Sequence, residues 1–88
     1  MTLQQLRYVI RAADSRSMNE AAKALYISQP SLSEAIKELE KEIGIELFKR
    51  SSHGTVLTPE GEEFLGYARQ VTDQYQLLEN RYIYRTKG

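Results

Sequence analysis

Several residue types are scarce or missing from this chain, and each absence excludes a class of site. The 88 residues include no cysteine and a single histidine, so disulfide frameworks, thiolate metal sites and histidine-based metal sites are excluded. No apolar run exceeds a few residues, and Met1 is followed by an amphipathic segment, which predicts neither a membrane-spanning helix nor a secretory signal. We therefore expect a cytoplasmic domain that is stabilised by packing, uses no metal or other cofactor and contacts no membrane.

The chain also lacks the side-chain groupings of an active site. It shows no nucleophile beside a base, no carboxylate pair and no phosphate-binding glycine loop, and its one histidine, His53, falls in a turn. The length suits one small domain and excludes a second complete one. We expect a binding domain and not an enzyme.

Neither sign of charge is in excess. Twelve basic and twelve acidic side chains cancel, and residues 1–58 hold eight basic against seven acidic groups. A nucleic-acid binder usually carries a positive surplus, so such binding would have to rest on a local cluster of cations, on helix N-termini aimed at phosphates and on two copies acting together. A neutral chain would also suit a domain that contacts other proteins.

Two helices joined by a tight turn are predicted over residues 17–43. Ser17 and Glu20 have the spacing of a capping box, so one helix should begin there. Ser28 is a suitable N-cap for the next helix, because Pro30 falls in the first turn, where its missing N–H does no harm. The segment between the two helices is only about three residues long.

The second of these helices is amphipathic at helical spacing. Its core face carries Leu32, Ala35, Ile36, Leu39 and Ile43, and its outer face carries Pro30, Ser33, Glu34, Lys37 and Lys41. A short helix, a tight turn and a helix with a small-polar, cationic outer face form a helix-turn-helix, here at about residues 18–37, which can present a helix to the DNA major groove. The pattern leaves open that both helices serve only the core of a small helical domain.

Two elements flank this unit. Thr2 and Gln5 form another capping-box pattern before a predicted helix from Leu3 to Asp14. After Gly44, two strand-prone pieces, residues 46–50 and 55–57, surround a small-residue turn and predict a hairpin.

The predicted hairpin combines apolar and basic residues. We expect its apolar side chains to close the core, namely Leu47, Phe48, Val56 and Leu57. Lys49, Arg50 and His53 then lie near its tip. The hairpin is either a wing whose cations follow the DNA backbone or enter the minor groove, or a cap over the helices with solvated charges.

A long helix is predicted from Pro59 onward, after the N-cap Thr58. Its apolar residues recur at spacings of 4, 3, 4, 3 and 4, typical of a helix-helix seam, and they are Phe64, Ala68, Val71, Tyr75, Leu78 and Tyr82. A helix of about 25 residues extends on the order of 37 Å, which is too long for the preceding residues to cover. We expect Phe64 and Leu65 to pack on the same chain and the later positions to pair with a second copy. The alternative is that the end of the helix frays.

The order and spacing of these motifs resemble the N-terminal DNA-binding segment of LysR-type transcriptional regulators. The resemblance covers nearly the whole chain and rests on residues 3–33 (LQQLRYVIRAADSRSMNEAAKALYISQPSLS), 36–50 (IKELEKEIGIELFKR) and 57–61 (LTPEG). It implies a mainly α fold with a winged helix-turn-helix over residues 1–58, made of three helices and a two-stranded β wing. A linker helix over residues 59–88 would then pair two chains.

The resemblance also implies which residues meet double-stranded DNA. Positions matching Gln29, Pro30 and Ser33 lie on the recognition helix of the family, and those matching Arg50 and the turn around His53 belong to the wing. The chemistry agrees, since an amide can pair with adenine, proline can contact a thymine methyl and cations neutralise phosphates. The predicted contacts are Ser28, Gln29, Pro30, Ser31, Ser33, Glu34, Lys37, Arg50 and His53.

One predicted contact departs from the family pattern. The family often has arginine at the position of Glu34, and a carboxylate repels phosphate unless it accepts a hydrogen bond from a cytosine amino group. The departure at Glu34 therefore bears on which DNA sequence is recognised and not on whether DNA is bound.

We therefore predict a bacterial homodimer on a palindromic operator, with the recognition helix in the major groove and the wing at the minor groove or backbone. Dimers of dimers are an option in the full-length protein. The resemblance implies a further C-terminal domain that senses a small-molecule effector, and we expect this chain to be a fragment without it. The competing hypothesis is a winged-helix module for protein-protein contacts that does not bind DNA, since one fold carries many functions.

Overall fold

The computed structural model describes residues 1–52 and 54–84, and within them the chain forms four helices and one two-stranded sheet. The elements are α1 (Leu3–Asp14), α2 (Met18–Ala24), α3 (Gln29–Ile43), β1 (Phe48–Ser51), β2 (Gly54–Leu57) and α4 (Pro59–Tyr82). This is the mainly α order predicted from the sequence. The predicted contact His53 and the last four residues of the predicted linker lie outside the described residues.

Side-chain caps explain where the first two helices begin. Thr2 accepts a hydrogen bond from the backbone N–H of Gln5, and the Gln5 side chain accepts one from the backbone of Thr2, so the predicted capping box is complete. Ser17 likewise accepts from the N–H of Glu20. The Glu20 carboxylate, however, accepts from the N–H of Arg16 at 3.2 Å, one residue earlier than in a standard capping box.

The turn between α2 and α3 is tight because one residue leaves the right-handed region. Tyr26 has φ of 59° and is almost fully exposed, a conformation that ordinary side chains adopt only at some cost. Ser28 then caps α3 by accepting from the N–H of Ser31 at 3.2 Å. At the other end of α3, Gly44 has φ of 71°, as expected for a glycine that ends a helix.

The core lies where α1, α2, α3 and the start of the hairpin meet. Ala21 and Ala22 are buried and small, so α2 can approach α1 and α3 closely. The buried cluster consists of Val9, Ala12, Ala21, Ala22, Leu32, Ile36, Leu39 and Leu47. Phe64 and Leu65 of α4 pack against this cluster, which confirms that they pack on their own chain.

The hairpin closes the core with only part of its predicted apolar set. Phe48 pairs with Leu57 in the antiparallel ladder, and both are half-buried. The next pair, Lys49 with Val56, faces outward because successive residues of a strand alternate between its two sides. The prediction was therefore wrong at Val56, whose side chain is 37% exposed.

The base of the hairpin is joined to α4 by a close backbone approach. Thr58 is buried, donates its N–H to the carbonyl oxygen of Leu47 at 3.0 Å and caps α4 by accepting from the N–H of Gly61 at 2.9 Å. A Cβ atom on Gly61 would lie 2.2 Å from the same Leu47 oxygen. Residue 61, the last of the LTPEG stretch, must therefore be glycine for the backbone of Leu47 to approach this closely.

The helix α4 runs antiparallel to α1. Arg69 lies beside Asp14, near the end of α1, and Tyr75 lies beside Arg7, near its start. Ala68 is only 2% exposed within this one chain, so the structure corrects the prediction that placed Ala68 in a seam with a second copy. The protein measures 53 Å along its longest axis.

Candidate nucleic-acid interface

The described residues of the chain leave the outer face of α3 uncovered. Its core side buries Leu32 and Leu39, whereas Pro30, Glu34 and Lys37 are exposed on the opposite side. The remaining predicted contacts on α3 and its cap are exposed or half-buried, namely Ser28, Gln29, Ser31 and Ser33. The amphipathic pattern thus located this face correctly, and a rigid partner can reach it.

Two hydrogen bonds order the side chains at the start of α3. The Ser28 hydroxyl donates to that of Ser31 at 2.8 Å, so both belong to the helix cap. The side-chain nitrogen of Gln29 donates to the Ser33 hydroxyl at 2.7 Å. This leaves the side-chain amide oxygen of Gln29 and one of its two side-chain N–H groups available. These are the two groups that pair with an adenine edge.

A groove separates α3 from the hairpin, and we call it the wing groove. One wall comes from α3 with Gln29, Ser33, Ile36, Lys37 and Glu40, and the other comes from the hairpin with Phe48, Lys49, Arg50 and Thr55, while Met18 also contributes. The structure therefore brings the predicted Gln29, Ser33 and Lys37 together with Arg50. Thr55 was missed by the sequence analysis; it lies opposite Arg50 in the strand register.

A second shallow surface follows the exposed side of α3. It is lined by Pro30, Ser33, Glu34, Lys37, Glu38 and Lys41. Lys41 was not among the predicted contacts, although it lies one helical turn beyond Lys37 on the same side. On this surface, the positive charges of the two lysines are balanced by the negative charges of Glu34 and Glu38. An anion would therefore be attracted mainly by the cations of the hairpin.

The cations of this region are available for an external anion. Within residues 1–52 and 54–84, none of Lys37, Lys41, Lys49 and Arg50 forms an ion pair with an acidic side chain. By contrast, Arg69 lies 2.6 Å from Asp14, and Arg7 lies 4.0 Å from Glu79. The cations beside α3 and on the hairpin are therefore not neutralised by direct ion pairs with the described acidic side chains.

Two other kinds of site are missing from the described ranges. No group of three or more His, Cys, Asp or Glu side chains there could hold a metal ion. None of the helices α1 to α4 is both long and apolar enough to cross a bilayer.

The predicted pairing positions of α4 divide between two sides. Phe64 and Tyr75 are half-buried, and Tyr75 lies under the Arg7 guanidinium at 5.5 Å from its ring centre. Beside the side of α4 that packs on α1, large apolar residues remain at least about half exposed, and Val71 and Leu78 line a shallow groove together with Leu3 of α1. This distal stripe consists of Val71 (48% exposed), Leu78 (56%) and Tyr82 (61%).

The chain is similar in sequence to known bacterial proteins. The family model described as "Bacterial regulatory helix-turn-helix protein, lysR family" matches residues 3–62. The uncharacterized HTH-type transcriptional regulator YxjO of Bacillus subtilis (strain 168) is 43% identical over 76 residues, which are 86% of this chain and 26% of that protein. The HTH-type transcriptional regulator BudR of Klebsiella aerogenes is 52% identical over 64 residues, 73% of this chain and 45% of that protein. The chain thus spans between a quarter and a half of these relatives.

Solved structures show the same fold. The crystal structure of the CbnR_DBD-DNA complex matches with a TM-score of 0.86 and 36% identity, covering 92% of this chain and 93% of that chain. The BenM_DBD/benA site 1 DNA complex matches with a TM-score of 0.87 and 37% identity, covering 92% and 94%. These similarities confirm the predicted winged helix-turn-helix. Because the family model also matches more than half of its residues, the chain belongs to the lysR family of bacterial regulatory helix-turn-helix proteins.

Proposed function

We propose that this domain binds double-stranded DNA with sequence specificity, as the DNA-binding part of a LysR-type transcriptional regulator. The observation that carries the proposal is the wing groove, where base-reading side chains of α3 and unpaired hairpin cations share one open surface. The two solved structures described above, CbnR_DBD and BenM_DBD, are complexes with DNA. The domain acts as a cytoplasmic binding module without enzymatic activity.

Each wall of the groove has its own part in this proposal. The start of α3 enters the major groove, where Gln29 and Pro30 contact base edges and Ser33 holds the Gln29 amide. Lys37 and Arg50 neutralise phosphates on either side, and the hairpin follows the backbone or the minor groove. Glu34 is tolerated where it accepts from a cytosine amino group.

Two copies bind together on a palindromic operator. A single copy has no surplus of positive charge, so its binding should be weak. The distal stripe of α4 offers an apolar surface for pairing with a second copy, and pairing would place two α3 helices on neighbouring turns of one duplex.

The complete regulator is longer than this domain. The chain covers 26% of YxjO, and the remainder of the regulator would include a C-terminal domain that senses a small-molecule effector. Such regulators could assemble further into dimers of dimers.

A salt titration separates DNA binding from the protein-binding alternative. We expect the affinity for duplex DNA to fall linearly with the logarithm of salt concentration, because each neutralised phosphate releases counterions. Gel shifts at several salt concentrations measure this slope. Failure to shift any duplex at low salt would instead favour a module for protein-protein contacts.

Two substitutions test the assigned roles. Arg50→Ala should weaken binding to all sequences and reduce the salt slope by about 1. Gln29→Ala should mainly relax base preference, at a cost of about 1–3 kcal/mol of discrimination. Arg11→Ala is the charge-matched control for Arg50, since Arg11 lies exposed on α1 outside the groove. The assigned roles would be contradicted if the two variants, Gln29→Ala and Arg50→Ala, lowered the affinity for specific DNA and for random DNA in the same proportion.

A further inference from the structure

Glu40 organises the connection between α3 and the hairpin. Its side-chain oxygen Oε2 accepts from the backbone N–H of Leu47 at 2.7 Å and from that of Phe48 at 3.2 Å. Its own carbonyl oxygen accepts from the N–H groups of Gly44 at 2.8 Å and Ile45 at 3.2 Å. One residue of α3 therefore receives four of the N–H groups between the end of the helix and the first residue of β1.

These hydrogen bonds fix the position of Leu47 and Phe48, where the hairpin begins. The link over residues 44–47 has no regular secondary structure, so its own backbone does not determine its course. Leu47 is held on its other side by α4, since its carbonyl oxygen accepts from the N–H of Thr58. Glu40 supplies the contact from α3, and bonds to a carboxylate are stronger than those between neutral groups.

The location of Glu40 connects this anchor to the proposed interface. It lies in the wing groove on the same wall as Gln29 and Ser33, while Arg50 lies on the opposite wall. Arg50 is two residues beyond Phe48 on β1, about 7 Å along a strand. A displacement at Phe48 would therefore move the Arg50 guanidinium relative to the base-reading end of α3.

We propose that Glu40 is a positioning residue that sets the distance between wing and recognition helix, so that both contact one duplex at once. The inference rests on the proposed DNA binding and adds a determinant of it. Glu40 itself needs no contact with DNA in this role. Its removal should uncouple the wing from α3 without changing the contacts that α3 makes.

A double-mutant cycle tests this role through Arg50. In a Glu40→Ala background, the loss of DNA affinity caused by Arg50→Ala should shrink by about two- to tenfold, the size of coupling within one network. The effect of Gln29→Ala should stay unchanged, because α3 keeps its own geometry. Glu40→Gln retains an oxygen acceptor in the same place and should restore most of the Arg50 effect.

Two controls separate positioning from charge and from folding. Glu38→Ala removes the same charge from an exposed position on α3 and should leave the Arg50 effect unchanged. Hydrogen exchange of the Leu47 and Phe48 amides should quicken in Glu40→Ala and stay slow in Glu40→Gln. If Glu40→Ala does not fold, Glu40→Met keeps the bulk of the side chain, lacks the acceptor and takes its place in the cycle.

The outcomes are distinct. An undiminished Arg50 effect in Glu40→Ala, or equal results for Glu40→Ala and Glu40→Gln, overturns the positioning role while DNA binding stands. If the unsubstituted protein shows no salt-dependent binding at all, the proposed function fails and this inference fails with it.

Discussion

The two halves of α4 obey one apolar spacing but meet different surroundings. In the first half, Gly61 and Ala68 are buried against the rest of the chain, and Phe64 packs on the core. In the second half, Leu78 and Tyr82 are more than half exposed. A heptad pattern in sequence therefore shows that a helix has an apolar side, but it does not show whether that side is covered by its own chain or by another.

The middle and the second half of α4 make polar contacts with α1. Arg69 donates two hydrogen bonds to Asp14, at 2.6 and 3.2 Å, and Arg7 lies over Tyr75 and near Glu79. Such exposed contacts each contribute about 0–1 kcal/mol, which directs the helix without burying its apolar side. The distal stripe thus remains free for a second copy in the proposed dimer.

The largest expected change is a loss of stability when Gly61, in the buried first half of α4, is substituted. In Gly61→Ala the new Cβ would meet the Leu47 carbonyl at 2.2 Å, and backbone cannot yield as a flexible side chain can. We expect a loss of about 1–3 kcal/mol or more in the free energy of unfolding, measured by urea denaturation. Gly66→Ala is the control on the same helix, since no neighbouring atom of the described residues lies within 4 Å of its Cβ position. It should stabilise by about 0.5–1 kcal/mol, so equal destabilisation of both variants would refute the close-approach argument.

A smaller change, in dimerisation and not in folding, is expected from a substitution in the exposed second half of α4. Leu78→Glu places charge in the distal stripe and should shift the protein toward monomer in sedimentation equilibrium, while its unfolding free energy per chain stays nearly unchanged. Affinity for DNA with two half-sites should fall, whereas affinity for a single half-site should not. Gln76→Glu adds the same charge about 160° around the helix. A monomeric unsubstituted protein, or equal dissociation in both variants, would show that the stripe is not a pairing surface.

The smallest effect should come from the polar contact at the junction of the two halves. Hydrogen bonding to Arg69 lowers the pKa of Asp14 below its ordinary value of 3.8. The stabilisation is therefore fully present above that ordinary value and is lost as pH falls through the lower pKa of the folded state. Asp14→Asn should slightly destabilise the protein at pH 7 and have no effect in strong acid, as measured by urea unfolding across pH. Arg69→Gln should remove the same pH dependence, and a pH-independent difference would exclude this origin.

Much of the fold follows from local sequence signals. Thr2, Ser28 and Thr58 are side-chain caps, and each begins a helix where the sequence indicates. Val56 and Ala68 were misassigned because their surroundings depend on the strand register and on how α4 lies over α1. Both are properties of the assembled chain, and apolar spacing alone does not contain them.

The site was predictable to a similar degree. The outer face of α3 follows from helical periodicity, and the same periodicity would have added Lys41. Glu40 could not be found in this way, since its role depends on the N–H groups of residues seven and eight positions later, across an irregular link. Thr55 depends likewise on the pairing of β1 with β2.

Selection of bound sites from random duplex DNA tests the central claim most directly, because it examines recognition by α3 and pairing through α4 together. We expect enriched sites with two-fold symmetric half-sites whose centres lie about 10 base pairs apart, or a multiple of that distance. Gln29→Ala should change the base preference within each half-site. Recovery of random sequences, or of single half-sites without a symmetric partner, would contradict the claim.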